Sequence, residues 1–328
     1  MSGRPRISVA ICTRNGAPFI EEQVRSILAQ TVPVDELVVS DDASSDGTVE
    51  LVRAVVDGQP EPRPDLVVLE NAQPIGVTAN FEQALAACRG IVIALSDQDD
   101  VWHPDRIERA LAEFDRRPDL LLAHADARLV DGRGDDLHVT LLGALEVSGA
   151  DLRAIHEGDA FEVFLRRNLA TGATMMVRPE LIARSRPFPA EWVHDEWLAM
   201  IAATSGGLDV IETPLVDYRQ HASNQIGAER PTLRRKVRRV LEPRGDRNRR
   251  LAARARALDE RVARMEGVSP SRREAVHEKA VFETERENYP ASRWRRIAPV
   301  LRSARRGDYA RFAGRGRADV VRDLLQSR

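Results

Sequence analysis

"GIVIALSDQDDVWHPDRI", Gly90 to Ile107, carries the apolar run "IVIAL" into Ser96 and then sets Asp97, Asp99 and Asp100 within four positions. The run reads as a buried strand, and Pro104 and Arg106 read as the opening of a helix, because a proline in the first helical turn loses nothing by lacking an N–H. Three like charges at the end of a buried strand repel one another, and burial raises the cost of ionising them further. A bound cation relieves that repulsion, and so does a solvated turn. The surrounding sequence has to choose.

Working outward, the strand–turn–helix pattern repeats. "RISVAICT" (6–13) is rich in isoleucine and valine, and after the polar break at Arg14–Gly16 comes "FIEEQVRSILAQT" (19–31). There Phe19, Ile20, Val24, Ile27 and Leu28 recur at helical spacing. "ELVVSDDASSDGTVELVRAVV" (36–56) repeats strand, acidic turn and helix; "DLVVLEN" (65–71) adds a strand, Val77–Ala87 a helix, and Arg106–Phe114 another. Strands alternating with helices imply βαβ units, a parallel sheet and right-handed crossovers. Ligands of such sheets bind beyond the carboxyl ends of the strands. Asp41–Asp42 and Asp97–Asp100 fall there together, which favours a site over a chance turn.

The middle of the chain is less regular. "LLLAHADARLVDGRGD" (120–135) suggests a strand or edge hairpin, residues 159–168 a short helix, and "ATGATMMV" (170–177) a strand entered through Gly172. "HDEWLAMIAATSGG" (194–207) predicts a helix starting near Asp195, and "LDVIETPLVDYRQH" (208–221) a strand, a turn and a strand. The 328 residues are 43% apolar and 30% charged, a soluble globular composition. The net charge of −2 conceals a division: residues 1–229 hold 20 Lys/Arg against 38 Asp/Glu, residues 230–328 hold 29 against 13. Cys12 and Cys88 read as buried free thiols rather than a metal knuckle or disulfide framework. No long apolar region follows Arg4 and Arg6, and no run reaches the roughly 20 apolar residues that span a bilayer, so a cytoplasmic location, peripheral at the inner face of the cell membrane, is expected. GxxxxGK[ST], GxGxxG and GxSxG are absent, which weighs against P-loop, dinucleotide and α/β-hydrolase chemistry. The basic tail lacks zinc-finger and RNP patterns, so nucleic acid is not the expected partner.

"ISVAICTRNGAPFIEEQVRSILAQT", "ELVVSDDASSDGT", "SDQDDVWHPDRI", "NLATGATMMV" and "VHDEWLAMIAA…YRQHASNQIG" together resemble family 2 glycosyltransferases, and most nearly their bacterial rhamnosyltransferase-like branch. The resemblance runs over roughly residues 6–227. It implies a GT-A fold: an α/β architecture with a predominantly parallel, Rossmann-like sheet. Residues 1–229 become the catalytic domain, with 1–125 mainly binding nucleotide sugar and 126–229 mainly on the acceptor side; 230–328 form an arginine-rich helical extension. It also implies inversion at the anomeric carbon and a divalent cation, Mg²⁺ or Mn²⁺, at a DxD-type motif.

Carried onto this chain, Asp97-Gln98-Asp99 is that motif. Asp99 is the direct metal ligand, Asp97 orients ribose or sugar hydroxyls or assists the metal, and Asp100 is a secondary partner. Carboxylate oxygens suit Mg²⁺ and Mn²⁺ and leave coordination positions for diphosphate and water. Asp42 resembles the nucleotide-binding carboxylate, with Asp41 sharing the task; helix capping is the alternative for that turn. Thr13, Arg14 and Asn15 occupy the loop that the family uses at the nucleotide, and Asn80 is a donor-pocket candidate or a simple cap. Asp195 resembles the catalytic base, with His194 orienting the acceptor. Glu196 is the base if the match slips by one residue, and many relatives carry an aromatic residue where Glu196 stands. His221 resembles a histidine near diphosphate or metal, with structural packing as its alternative. Gln220 and Asn224 receive weaker support. Gly172 permits either close approach of sugar or acceptor, or a sterically required turn.

The expectation is an inverting transferase that moves a hexosyl or deoxyhexosyl unit from a nucleotide sugar, with dTDP-L-rhamnose the leading donor, to a cell-surface polysaccharide or lipid-linked glycan acceptor. A noncatalytic nucleotide-sugar- or glycan-binding module is the competing class. "LRRKVRR" from Leu233, "RNRRLAARARAL" from Arg247 and "SRWRRIAPVLRSARR" from Ser292 have the spacing of amphipathic helices that rest on anionic membrane. Their alternative is packing and ion pairing within the chain.

Overall fold

The computed structural model describes residues 6–221 and 245–326. They fall into two compact units, Met1–Gly158 with Leu169–Glu229, and Asp159–Asn168 with Arg230–Arg328.

The first unit is built on a nine-stranded sheet. Its opening half alternates as the sequence predicts: β1 (Ile7–Thr13), α1 (Ile20–Leu28), β2 (Glu36–Asp41), α2 (Thr48–Asp57), β3 (Asp65–Glu70), α3 (Val77–Ala87) and β4 (Val92–Ser96). β3, β2, β1 and β4 lie side by side and parallel, with Thr13 opposite Asp41 and Ile11 opposite Ser96. β1, β2 and β4 are buried along their whole length, which is why they read as continuous apolar runs without alternation. β5 (Val101–Trp102) and α4 (Arg106–Arg116) follow, with Ile107, Ala110 and Phe114 of α4 in the core beneath the sheet.

Beyond α4 the sheet becomes mixed. β6 (Leu122–Asp131) makes a hairpin with β7 (Asp136–Thr140), and α5 (Leu141–Ala144) and α6 (Gly149–Ala154) follow. The hairpin is as expected, but β6 is not an edge: it lies between β8 (Met175–Val177) and β9 (Leu208–Gln220). β8 pairs antiparallel with both β4 and β6, whereas β6 and β9 run parallel. β9 replaces the expected strand–turn–strand. Pro214 sits opposite Asp126 where the register against β6 shifts. A residue without an N–H breaks one rung of the ladder and is absorbed as an irregularity, so one 13-residue strand continues through it. α8 (Pro179–Ser185) and α9 (His194–Ser205) complete the unit.

The second unit takes in α7 (Ala160–Arg166) from the middle of the chain. These residues were expected in the 126–229 half. Instead Phe161 lies under the Arg272 guanidinium and Glu162 pairs with Arg311 at 3.5 Å, which ties α7 to the C-terminal helices. Gly158, at φ +93°, supplies the backbone turn between α6 and α7 that an L side chain rarely adopts. The other helices are α10 (Arg247–Arg264), α11 (Pro270–Glu287), α12 (Arg293–Arg306), α13 (Asp308–Phe312) and α14 (Arg317–Leu325).

Buried ion pairs run through this unit beside its apolar core. Buried Arg286 donates to Asp323 at 2.7 Å and to Glu283 at 2.8 Å, and the Tyr309 hydroxyl donates to Asp323 at 2.8 Å. Arg247 reaches Asp319 at 2.8 Å. Removing Asp323 leaves buried Arg286 with Glu283 alone and the Tyr309 hydroxyl without its carboxylate acceptor. Asp323→Ala is therefore expected to lower stability by about 3–5 kcal/mol in urea unfolding. Adding Arg286→Met should recover part of that loss, and a cost below about 1 kcal/mol for Asp323→Ala would contradict the buried pair.

Candidate active site

The carboxyl edge of β1, β2 and β4 brings the first acidic turn and the DxD-type turn together. The loop after β1 is anchored to the turn after β2. Asn15, at φ +49°, donates its N–H to Ser44 Oγ and accepts from the Ser45 N–H, while Gly16 N–H donates to Thr48 Oγ1 and Ala17 N–H to Asp46. Gln98 ties this loop to the DxD-type turn in both directions: it accepts from Arg14 N–H at 2.8 Å and donates to Arg14 O at 3.2 Å. A side chain at Gly16 would collide with the Gln98 amide, which explains the glycine.

Several expected donor-site residues turn out to be committed to this scaffold. Asp41 accepts from Thr13 Oγ1 at 2.6 Å and from both the N–H and hydroxyl of Ser44. Asp42 accepts from the N–H groups of Ile75 and Gly76 at 2.6 and 3.0 Å, with the exposed Arg14 guanidinium 4.0 Å away. Asn80 departs furthest from its expected role. It is buried, accepts from Ser40 Oγ and Asn71, and donates to Ser40 O, so it clamps α3 to β2 rather than lining a pocket.

The acidic turn itself is arranged around two arginines. Burial, then the charges of Asp99 and Asp195, push Asp97 up to about 7, with Arg106 pulling the other way. Asp100 is buried, its Oδ1 accepts from Arg219 N–H at 3.0 Å, and its Oδ2 has no hydrogen-bond partner among the described residues. Burial and the charges of Asp99 and Asp97 hold Asp100 well above the usual carboxylate range. That places Asp100, expected as a secondary partner of the motif, behind the turn and bonded to the backbone of β9. Arg106 is buried with its guanidinium 3.7 Å from the Trp102 ring centroid, donating to Leu95 O and Met175 O. Burial drags it down to about 9, while attraction to Asp100 and Asp97 opposes that fall.

Arg219 binds the far end of β9 to the same turn. Its side chain donates to Asp99 O at 2.9 Å, Gly132 O at 3.3 Å and Glu22 at 2.7 Å. Two residues on, His221 Nε2 shares a 2.8 Å hydrogen bond with Asp99 Oδ2 and stacks on Phe19, ring centroids 4.8 Å apart. Asp99 and His221, both expected at the metal, thus lie within hydrogen-bond distance of each other. Asn224 lies outside the described residues.

α9 carries the carboxylate expected on the acceptor side. Asp195 Oδ2 accepts from Gly172 N–H at 3.1 Å and Oδ1 from Glu196 N–H at 2.7 Å, and its charge acts on Asp97. A Cβ on Gly172 would stand 2.8 Å from His194 Nε2 and 3.4 Å from Asp195 Cβ. Gly172 thus permits close approach of protein to protein. His194 is buried and stacked on Phe81, ring centroids 3.8 Å apart, with no partner on either ring nitrogen among the described residues. It packs as a buried ring between Phe81 and Gly172. Glu196, half-buried, follows directly in the first turn of α9.

Sequence reasoning missed Gln98, Arg106, Arg219 and Tyr218. Arg106 left a signal, since it stands on the same helical stripe as Ala110 and Phe114, where an arginine needs a buried partner. Tyr218 lies where burial and then Asp97, Asp100, Asp99 and Asp195 push its hydroxyl far up, so it marks the place these carboxylates surround. Among the described residues no group of three or more His, Cys, Asp or Glu side chains is arranged to hold a metal ion.

The profile of Glycosyl transferase family 2 matches residues 8–178, from β1 to just past β8. The chain belongs to that family. It is 27% identical over 225 residues to an uncharacterised glycosyltransferase of Nostoc, covering 67% of this chain and 66% of that one. It is 33% identical over 130 residues to the succinoglycan biosynthesis protein ExoO of Rhizobium meliloti, covering 39% of this chain and 36% of that one. These matches span two thirds of the relatives' length or less. Among solved structures, it resembles a Pyrobaculum calidifontis mannosyltransferase in complex with GDP-Man and Mn²⁺, with TM-score 0.55 at 19% identity over 99% of this chain and 85% of that one. S. aureus TarS 1–349 in complex with UDP gives 0.55 at 17% over 98% and 90%. The family 2 chain has the expected GT-A fold with a helical, salt-bridge-rich C-terminal extension.

Burial drives His194 of this family 2 protein down to about 3 and, with Asp209 opposing, His124 down to about 4. Unfolding lets each ring bind a proton below its ordinary value near 6.5. The unfolded chain then holds more protons than the folded one, so stability falls as pH drops below about 6.5, by up to about 1.4 kcal/mol per pH unit for each ring. Urea unfolding between pH 7.5 and 5 measures the slope. His194→Phe should flatten it, and an unchanged slope in that variant would contradict the neutral buried ring.

Proposed function

We propose that the chain is an inverting glycosyltransferase that moves a hexosyl or deoxyhexosyl unit from a nucleotide sugar to a polysaccharide or lipid-linked glycan acceptor. The observation that carries the reading is that Asp195, on α9, accepts from the N–H of Gly172, which leads into β8, and β8 pairs with β4, the strand that ends just before Asp97. A base candidate and a donor-site candidate nearly a hundred residues apart thus meet at the rim where ligands of open α/β sheets bind. On this reading residues 1–125 mainly bind nucleotide sugar, 126–229 mainly serve the acceptor, and 230–328 form an extension.

Asp195 is the general base. It takes the proton of the acceptor hydroxyl as that oxygen bonds to the anomeric carbon, while the bond to the nucleoside diphosphate breaks on the opposite face. Its two backbone hydrogen bonds hold the carboxylate in place for this. Thr13, Arg14 and Asn15 form the loop on the nucleotide side, with the exposed Arg14 guanidinium available to phosphate, while Asp42 shapes that side through its bonds to the Ile75 and Gly76 N–H groups. Asp97 and Asp99 face the sugar and diphosphate.

By type, the carboxylates suit Mg²⁺ or Mn²⁺ and the imidazole suits Mn²⁺. Asp99 and His221 are paired, Asp97 is close, and the mutual repulsion of the carboxylates is what a cation relieves. Held by Asp99 and His221, such an ion would neutralise charge growing on the leaving diphosphate. The Mn²⁺ in the mannosyltransferase of the same fold supports this choice. For the donor, the resemblance of five motifs to the rhamnosyltransferase-like branch favours dTDP-L-rhamnose. The relatives reported above carry other names, so a panel of donors with purified protein decides the sugar.

Two variants separate the roles. Asp195→Asn keeps the shape of the side chain, so donor affinity should hold within a few-fold while single-turnover transfer falls about 10²–10⁴-fold. Near-normal transfer would remove Asp195 as base, and the same defect in Glu196→Gln instead would move the role along one residue. Asp99→Ala should weaken donor binding in the presence of Mn²⁺ and lower turnover by roughly 10²-fold or more, about 3 kcal/mol of transition-state stabilisation. Turnover unaffected by chelation or by this variant would remove the metal role.

A further inference from the structure

The second unit carries a surface that its internal ion pairs do not explain. α12 has no acidic residue, and its buried side is formed by Arg296, Val300 and Ser303. Its outward side carries Trp294, Ile297 and Leu301, 84%, 38% and 38% exposed, at positions that share one helical stripe. A side chain as large and apolar as Trp294, left almost wholly in water, is the informative exception on a protein surface. Arg293, Arg295, Arg302 and Arg305 flank the stripe, exposed and without an ion pair among the described residues.

Other arginines of this unit behave differently. Arg247 turns to Asp319, Arg256 to Glu287, Arg286 to Asp323, and Arg311 to Glu278 and Glu162. Of the three arginine-rich stretches singled out from sequence, the one from Leu233 lies outside the described residues, and the one from Arg247 is α10, drawn partly into these contacts. Of the two such stretches among the described residues, α12 is the one that joins Trp294, Ile297 and Leu301, all exposed, to arginines without an ion pair.

We propose that this face of α12 docks on an anionic lipid surface. The chemistry commits to that occupant. Arginine stems lie along an acyl boundary while their guanidinium groups reach phosphate, and tryptophan favours the headgroup level. The area on offer is one side of a 14-residue helix, suited to lying in an interface and too short and charged to span a membrane. No helix among the described residues is long and apolar enough to cross one. Residues 230–244 are themselves basic, with Arg234, Arg235, Lys236, Arg238 and Arg239, so charge does not favour them as the cover of this face. The inference stands apart from the transfer reaction, since it uses no residue of the candidate active site.

The test uses the full chain with vesicles of phosphatidylcholine alone or with phosphatidylglycerol, by co-sedimentation. Binding should require the anionic lipid and fall with salt. Trp102, Trp192 and Trp197 are buried, so Trp294 should report contact through a blue shift of fluorescence. Arg302→Gln with Arg305→Gln should weaken partitioning roughly 25-fold, about five-fold for each charge. Trp294→Ser with Leu301→Ser should weaken it at least roughly 10-fold. Arg256→Gln, at a paired arginine, should leave it unchanged. Far-UV circular dichroism and thermal melting check that each variant is folded. Absence of binding to anionic vesicles at low salt overturns the proposal, as does equal binding by wild type and both α12 variants. A concentration-dependent dimer in sedimentation that both variants abolish, without vesicle binding, also overturns it and assigns the face to a second copy of the chain.

Discussion

Carboxylates gathered at the end of a buried strand repel one another, and the first unit depends on the group that makes their gathering tolerable. That group is Arg106, buried behind the turn and attracted to both Asp97 and Asp100. Its guanidinium is fixed by two strand carbonyls, Leu95 O and Met175 O, from β4 and β8. The cation therefore belongs to the sheet, not to a mobile loop. Fixed charge of this kind needs no reorganisation when charge changes nearby, the property that makes a preorganised site effective. Asp97, Asp100 and Tyr218 all carry the mark of the crowding that remains, each held toward its neutral form.

Around that centre, much of the polar chemistry is scaffolding. Arg219 gathers α1, the acidic turn and the β6–β7 turn, and so sets His221 against Asp99. Gln98 fastens the first loop to the same turn. Asp41, Asp42 and Asn80 spend their acceptors on backbone and hydroxyl partners that shape the rim. The stacking of His194 on Phe81 and the missing side chain of Gly172 then let α9 come close enough for Asp195 to join the acidic group. Buried polar groups with satisfied bonds specify one arrangement, which a purely apolar rim would not.

The basic excess of the C-terminal hundred residues divides into two physical uses. Part of it is consumed inside the second unit, where Arg286 and Arg247 meet Asp323 and Asp319 out of water. Such contacts order helices whose apolar content is low. Another part stands outward on α12 beside Trp294, where like charges along one helix are screened by solvent or by a surface of opposite sign.

The sequence by itself determined the alternation of the first half, because continuous apolar strands and 3.6-periodic helices leave distinct local patterns in "ISVAICT", "ELVVSD" and "VIALS". It also determined that the two acidic turns share one edge, since parallel strands end on the same side. Tertiary structure alone decided what each polar residue does there. A carboxylate that holds a loop and one that faces a ligand look alike in a string of letters; they differ in which N–H groups come within hydrogen-bond distance, and partners such as Ile75 for Asp42 or Gly172 for Asp195 are 33 and 23 residues away. The same holds for Pro214, which marks a turn by its local preference but lies within β9 because the long parallel ladder against β6 outweighs one lost hydrogen bond. Nor could local pattern say that α7 leaves its sequence neighbours for the C-terminal helices, because an apolar face specifies burial without naming what buries it.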